Sequence, residues 1–263
     1  MKRVVLTKGL WIVLALLLVV TGTPWGVFAA GSNEITVSAA ASLKNVFEEI
    51  GKTYDGQNKG GKTYFNFAAS GDLKRQIEAG APVDVFASAA LREMDDLERR
   101  GLLVAGTRRN FAGNEMVLAR PALSKVQISS FKDLTRPEVK KIAIGNPATV
   151  PAGMYAEQVL KHLRIWDEVK DKLIFGESVR QVLDYVARGE VDAGMVFSTD
   201  AKVRAKEVAV VMQAPRNSHN PVIYPIAVVK GARNADGARS FVDFVSSADG
   251  KKILEKYGFK AEK

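Results

Sequence analysis

The 263-residue chain contains no cysteine and only two histidines. The first absence excludes disulfides, a thiol nucleophile and a cysteine-linked lipid anchor. The second leaves little for general acid–base work. His162 sits in Leu160-Lys161-His162-Leu163, which reads as an exposed helix side, and His219 lies in the turn-like Ser218-His219-Asn220-Pro221. No stretch reads as G-x-S-x-G, H-E-x-x-H or a P-loop, so no nucleophile–base constellation can be assembled. Tandem repeats and low-complexity linkers are missing as well. Beyond residue 29 no apolar run is long enough for a membrane span.

What is present begins with a tripartite leader. Lys2, Arg3 and Lys8 precede an apolar run over residues 10–20, followed by Gly22, Pro24 and the small-x-small signal Val27-Phe28-Ala29. This pattern predicts a secretory signal peptide over residues 1–29, cleaved to leave residues 30–263 in the periplasm. Cleavage would remove three of the 38 basic and none of the 29 acidic residues, leaving a net charge of +6 on 234 residues. That excess favours anions by long-range steering. It is spread along the chain rather than clustered with aromatics, which argues against nucleic acid as a partner. The expected product is a free, soluble monomer.

Strand-like segments at 35–39, 62–67, 83–87, 115–119, 141–144, 193–197 and 208–212 alternate with helical patterns. Leu43, Val46, Phe47 and Ile50 share one helix face; so do Val179, Val182, Leu183 and Val186. Leu73 and Ile77, stopped by Gly80, mark a short helix, and Phe241, Phe244, Val245, Ile253 and Leu254 mark a C-terminal pair. The alternation predicts an α/β architecture with largely parallel sheets, and the block over 112–223 has strand–helix units enough for an inserted second domain.

Five helix starts follow these extended segments: Ala40-Ala41-Ser42-Leu43, Ala69-Ser70-Gly71-Asp72, Val150-Pro151-Ala152-Gly153, Glu177-Ser178-Val179-Arg180, and the residues after Gly194-Met195-Val196-Phe197-Ser198. A helix N-terminus carries unpaired N–H groups and the positive end of the macrodipole, so it suits anions without a charged side chain. Several such ends meeting in one cleft would hold a multiply charged oxyanion with neutral donors.

The same segments carry a resemblance. Ile35-Thr36-Val37 with Ala39-Ala40-Ala41-Ser42-Leu43, then Phe67-Ala68-Ala69-Ser70-Gly71, Asp84-Val85-Phe86-Ala87-Ser88-Ala89, Gly145-Asn146-Pro147, Val150-Pro151-Ala152-Gly153, Val179-Arg180, Tyr224-Pro225-Ile226-Ala227 and Tyr257-Gly258-Phe259 together resemble periplasmic molybdate-binding proteins, in order and over essentially the whole mature chain. The resemblance implies a type II periplasmic binding protein, two α/β domains with mainly parallel central sheets joined by two crossover strands. The crossings would fall near 110–114 and 223–226, so that domain I is residues 30–111 plus 224–263 and domain II is 112–223. It implies capture of molybdate, with tungstate beside it, for the membrane permease of an ABC importer, no cofactor and no directly coordinated metal. Residue by residue, the ligand donors fall on the hydroxyls of Ser42 and Ser70 and the amides of Ala152 and Val179. The position of the family's tyrosine donor is Phe197, a departure that leaves a ring to wall the pocket and no hydroxyl.

Plainer uses stand beside these. Ser42 and Ser70 are good helix N-caps, and Lys44, Lys74 and Arg180 would ordinarily face solvent. Asp84 and Asp200 suit holding local backbone. The vacancy at Phe197 could be filled by the hydroxyl of Ser198 or Thr199, a further N–H, or water. Two rival functions also stay open: binding of another oxyanion such as sulfate, and an enzyme on the same fold.

Overall fold

The first sheet starts with β1 (Glu34–Ala40), buried on both faces over most of its length, as befits a strand covered by helices on each side. The structure, a computed structural model, describes residues 33–58 and 61–261; the expected leader over 1–29 lies outside them. A 3₁₀ turn (Ala41–Leu43) leads into α1 (Lys44–Gln57), which buries Val46, Phe47, Ile50 and Tyr54 on one face. β2 (Lys62–Ala68), α2 (Ser70–Glu78), β3 (Val85–Ala87) and α3 (Leu91–Arg99) follow. β4 (Arg109–Asn114) then passes directly into β5 (Met116–Pro121), which belongs to a second sheet. That sheet continues through β6 (Ile142–Gly145), α4 (Pro151–His162), α5 (Trp166–Val169), β7 (Leu173–Gly176), α6 (Val179–Ala187), β8 (Ala193–Phe197), α7 (Ser198–Val203) and β9 (Val208–Gln213). β10 (Val222–Val228) returns to the first sheet, which α8 (Ala235–Ser246), α9 (Ala248–Lys256) and β11 (Lys260–Ala261) complete.

Strand order is β11-β4-β10-β3-β1-β2 in one sheet and β7-β6-β8-β5-β9 in the other. β1 pairs in parallel with β2 and β3, and β6 with β7 and β8. The expectation of mainly parallel sheets holds for these strands and needs correction for the rest: β4, β10, β11, β5 and β9 pair antiparallel, so both sheets are mixed. A chain that leaves a sheet along β4 and comes back along β10 runs in opposite senses on the two, and they are neighbours. Asn114 at the end of β4 pairs with Val222 at the start of β10, which sets the two crossings side by side. The register shifts at Tyr224/Pro225, where proline has no N–H to continue the ladder.

All seven expected strands form; β7 and β11, four and two residues long, are too short for a periodicity to be read and were not legible. Phe47 meets Phe65, Phe111 and Phe241 at ring distances of 6.1, 5.7 and 6.1 Å, tying α1, β2, β4 and α8 into one core. Among the described residues no helix is long and apolar enough to cross a membrane. One correction concerns the absent P-loop. Gly56, Gly61, Lys62 and Thr63 do have the G-x-x-x-x-G-K-T spacing, but Gly56 lies at the end of α1 and Lys62 opens β2. That order is the reverse of the strand–loop–helix arrangement in which the motif cradles phosphate.

Candidate oxyanion site

In open α/β sheets, ligands gather beyond the carboxyl ends of parallel strands. Here that edge of both sheets faces one small cavity. From the first sheet come Ala40 at the end of β1 with Ala41 and Ser42 after it, Ala68 at the end of β2 with Ala69 and Ser70 after it, and Ala89 after β3. From the second come Val150, Pro151 and Ala152 after β6, Val179 after β7 and Phe197 at the end of β8. The structure thus brings together all five singled-out residues: Ser42, Ser70, Ala152, Val179 and Phe197. The cavity is about 10 Å³, about the space of one water molecule. A larger hollow of about 800 Å³ lies beside Tyr54 and Gly237, but no residue of the second sheet lines it.

Local structure points the donors inward. α4 begins on Pro151, whose missing N–H is no loss at the first helical position. A Cβ at Gly153 would stand 1.9 Å from the carbonyl oxygen of Gly145, so glycine there lets α4 start hard against β6. The expected capping role of the serines is not observed. The residue before α2 is Ala69, the one before α1 is Leu43, and neither helix has a side-chain cap. Of the five starts only α6 is capped by a side chain, Ser178 accepting from the Gln181 N–H at 3.2 Å. Both serine hydroxyls are therefore available for other work. Ser70 Oγ accepts the Ala89 N–H at 3.0 Å, and Ser42 Oγ lies 3.1 Å from the hydroxyl of Tyr224.

No charged side chain lines the cavity, but one ion pair stands directly behind it. Arg180 was expected at a solvated face. Instead its Nε lies 2.7 Å from Oδ1 of Asp200, which is fully buried on α7. The contact is close rather than well aligned, since neither atom makes a properly directed hydrogen bond. Burial pushes the Asp200 carboxyl up to about 6, against the pull of the Arg180 charge. The rest of the guanidinium reaches across to the first sheet's residues, donating to the Ser42 carbonyl at 3.1 Å and to Asn45 Oδ1 at 2.7 Å. Arg180 therefore spans the cleft. So does the Gly71 N–H, which donates to the Thr149 carbonyl at 2.9 Å. These contacts describe a closed cleft.

Asp84 does hold backbone, but distant rather than local: it accepts from the N–H groups of Thr36 at 2.7 Å and Arg233 at 2.7 Å, 48 and 149 residues away in sequence. Lys44 is exposed, as expected; Lys74 is not on a solvated face, because α2 packs beside α3 and its largely covered ammonium pairs with Asp96 at 3.0 Å. Neither His162 nor His219 lines the cavity.

Phe197 is buried, its ring packed edge-on against Tyr155 at 6.2 Å and Tyr224 at 5.9 Å. Its hydroxyl-bearing neighbours are already engaged: Ser198 Oγ donates to Asn114 Oδ1 at 3.0 Å, and Thr199 Oγ1 accepts from Asn114 Nδ2 at 2.9 Å. Asn114 and Tyr224 were not read from the sequence as site residues. The available signal was a tyrosine inside the apolar run of residues 222–229, whose hydroxyl must find a partner once the strand is buried.

A family model described as bacterial extracellular solute-binding protein matches residues 35–260. The chain belongs to that family. It is thus a binding protein and not an enzyme, which closes one of the two rival readings. The molybdate-binding protein ModA of Haemophilus influenzae is 42% identical over 236 residues, spanning 89% of this chain and 92% of the relative. A putative ABC transporter substrate-binding lipoprotein of Bacillus subtilis, YvgL, is 41% identical over 228 residues, 87% and 86% of the two chains. Among solved structures, the substrate-binding domain of a putative molybdenum ABC transporter from Clostridium difficile matches with a TM-score of 0.68 and 41% identity, covering 88% of this chain and 99% of that one. The periplasmic molybdate-binding protein of Azotobacter vinelandii superposes with a TM-score of 0.77 at 24% identity over 87% and 100% of the chains, a likeness of fold.

Proposed function

We propose that this solute-binding protein captures molybdate, and tungstate beside it, and delivers the anion to the membrane permease of an ABC importer. The observation that carries this reading is the lining of the cavity: two serine hydroxyls and the first turns of helices from both sheets, with no carboxylate, histidine or cation among them. A cage of donors alone satisfies every oxygen of a fully deprotonated tetrahedral dianion. It offers nothing to accept the proton of hydrogen phosphate, which would be buried unpaired.

On this reading Ser42, Ser70 and the amides of Ala152 and Val179 hold the anion, and Phe197 walls it. Residues 30–111 with 224–263 and residues 112–223 act as two lobes that close about β4 and β10, so binding is reversible and noncovalent. The protein works as a monomer exported by a cleaved leader, without a lipid anchor, cofactor or nucleic-acid partner. Sulfate is the competing cargo, and cage size decides between them.

Calorimetric titration of the mature protein with molybdate, tungstate, sulfate and phosphate tests the reading, and tight binding of the first two with none of phosphate is expected. Ser42→Ala and Ser70→Ala each delete a donor to a buried charged ligand, worth about 1.5–3 kcal/mol. Each should weaken molybdate binding roughly ten- to a hundredfold. Unchanged affinity in the double variant would remove these residues from the site. Phe197→Tyr adds one phenolic donor at the cavity wall and should tighten molybdate binding by a similar factor. An affinity identical within error for molybdate, tungstate and sulfate would place the ring's edge outside the site.

A further inference from the structure

Behind Ser42 runs a chain of hydrogen bonds whose direction is set at its far end. The backbone N–H of Glu115 donates to Asn114 Oδ1 at 2.9 Å. A backbone N–H can only donate, so this contact fixes which end of the amide is oxygen, an assignment that otherwise rests on the network alone. Ser198 Oγ donates to the same oxygen at 3.0 Å. Nδ2 then presents its two hydrogens to Thr199 Oγ1 at 2.9 Å and to the Tyr224 hydroxyl oxygen at 3.2 Å. Tyr224 has a single hydrogen, and with its oxygen accepting from Asn114 that hydrogen goes to Ser42 Oγ, 3.1 Å away. Burial holds Tyr224 well above the usual tyrosine range, so it keeps this hydrogen. Ser42, accepting from Tyr224, has its own hydrogen left for the cavity it lines. Ser70 reaches the same state more simply, by accepting the Ala89 N–H at 3.0 Å.

We propose that Tyr224 and Asn114 are positioning residues for specificity: they hold Ser42 as a hydrogen donor toward the bound anion and thereby exclude oxyanions that carry a proton. This inference rests on the oxyanion reading above and concerns residues that do not line the cavity. It also gives the missing hydroxyl at Phe197 a counterpart one layer back. Tyr224 orders a donor rather than serving as one. Without the phenol, the serine hydroxyl is free to turn its hydrogen away and show a lone pair to the cavity, which a protonated oxygen of hydrogen phosphate could use.

The test is a double-mutant cycle with Tyr224→Phe and Ser42→Ala, read by calorimetry with molybdate and with inorganic phosphate. Tyr224→Phe alone should weaken molybdate about three- to tenfold, the worth of one neutral hydrogen bond, and lower the molybdate-to-phosphate ratio by at least that factor. In the Ser42→Ala background the same change should leave molybdate affinity unaltered. Equal losses in both backgrounds, or an unchanged ratio in the single variant, would overturn the inference while leaving the oxyanion reading intact. If wild-type protein binds no molybdate, or Ser42→Ala binds it fully, both fall together. Should Tyr224→Phe not fold, Asn114→Asp asks the question from the other end. Its carboxylate only accepts, so Tyr224 turns toward it and draws the Ser42 hydrogen out of the cavity; molybdate affinity must then fall in a serine-dependent way, and a fall independent of Ser42 rejects the relay.

Discussion

Gly71→Ala should abolish tight anion binding without unfolding the protein. A Cβ at this position would meet the Thr149 carbonyl oxygen at 2.7 Å and the Thr149 Cα at 2.8 Å. Both are backbone atoms, and they belong to the loop before α4 on the opposite side of the cleft. The clash lies between the two sheets' residues rather than within either core, so opening the cleft relieves it. Gly71 sits in the first turn of α2 with an ordinary negative φ. Alanine is a better helix former there by about 0.5–1 kcal/mol, so the open form should be no less stable. Overpacking of this kind costs about 1–3 kcal/mol, and the Gly71–Thr149 hydrogen bond is lost with it. Molybdate affinity should drop roughly ten- to a hundredfold or more. The unliganded melting temperature should hold or rise, and small-angle scattering should show no contraction on adding molybdate. Contraction with full affinity would mean that the cleft closes differently from the geometry described here.

Arg180→Ala should have the largest effect on stability, and the effect should grow with pH. Removing one partner of a buried pair leaves the other charge uncompensated, at a cost of about 3–5 kcal/mol. For a chain of this size that is roughly 10 °C in melting temperature. The pH dependence follows from Asp200, whose carboxyl titrates at about 6 in the folded protein against an ordinary 3.8. Because the folded value is raised, the group's contribution to stability is complete below about pH 4 and is lost as pH rises through about 6. Without Arg180 nothing opposes burial, and the folded value moves higher still. At pH 5 Asp200 is mostly protonated in both proteins, so their melting temperatures should lie closest. At pH 8 the wild type holds an ionised, paired carboxylate, while the variant must hold it unpaired or take up a proton, so the gap should be widest. Adding Asp200→Asn to Arg180→Ala should restore much of the stability at pH 8. It should not restore affinity, because the links from Arg180 to the Ser42 carbonyl and to Asn45 are still missing. A gap of equal size at pH 5 and pH 8 would show that the pair does not carry the charge burial assigned to it.

Local pattern determines much of this protein. Alternating strand patterns such as Ile35, Val37 and Ala39 in β1, and helix faces such as Val179, Val182, Leu183 and Val186, mark elements because helix and strand periodicity depends on near neighbours alone. The five starts that converge on the cavity were legible for the same reason: glycine, proline and small polar residues shape a helix's first turn through their own backbone preferences. The absence of cysteine and of any catalytic constellation was legible too, since composition needs no fold. Tertiary structure decided the rest. Arg180 reads as one more surface cation until α6 and α7 place it against a buried carboxylate 20 residues on. Ser42 and Ser70 read as caps until the turns place them inside the first residues of their helices rather than before them. Tyr224 and Asn114 lie 110 residues apart and act as one unit only because β4 and β10 pair side by side. Sequence spacing bounds contacts within a helix or a strand; contacts between segments depend on which strands become neighbours, and here two antiparallel crossings decided that.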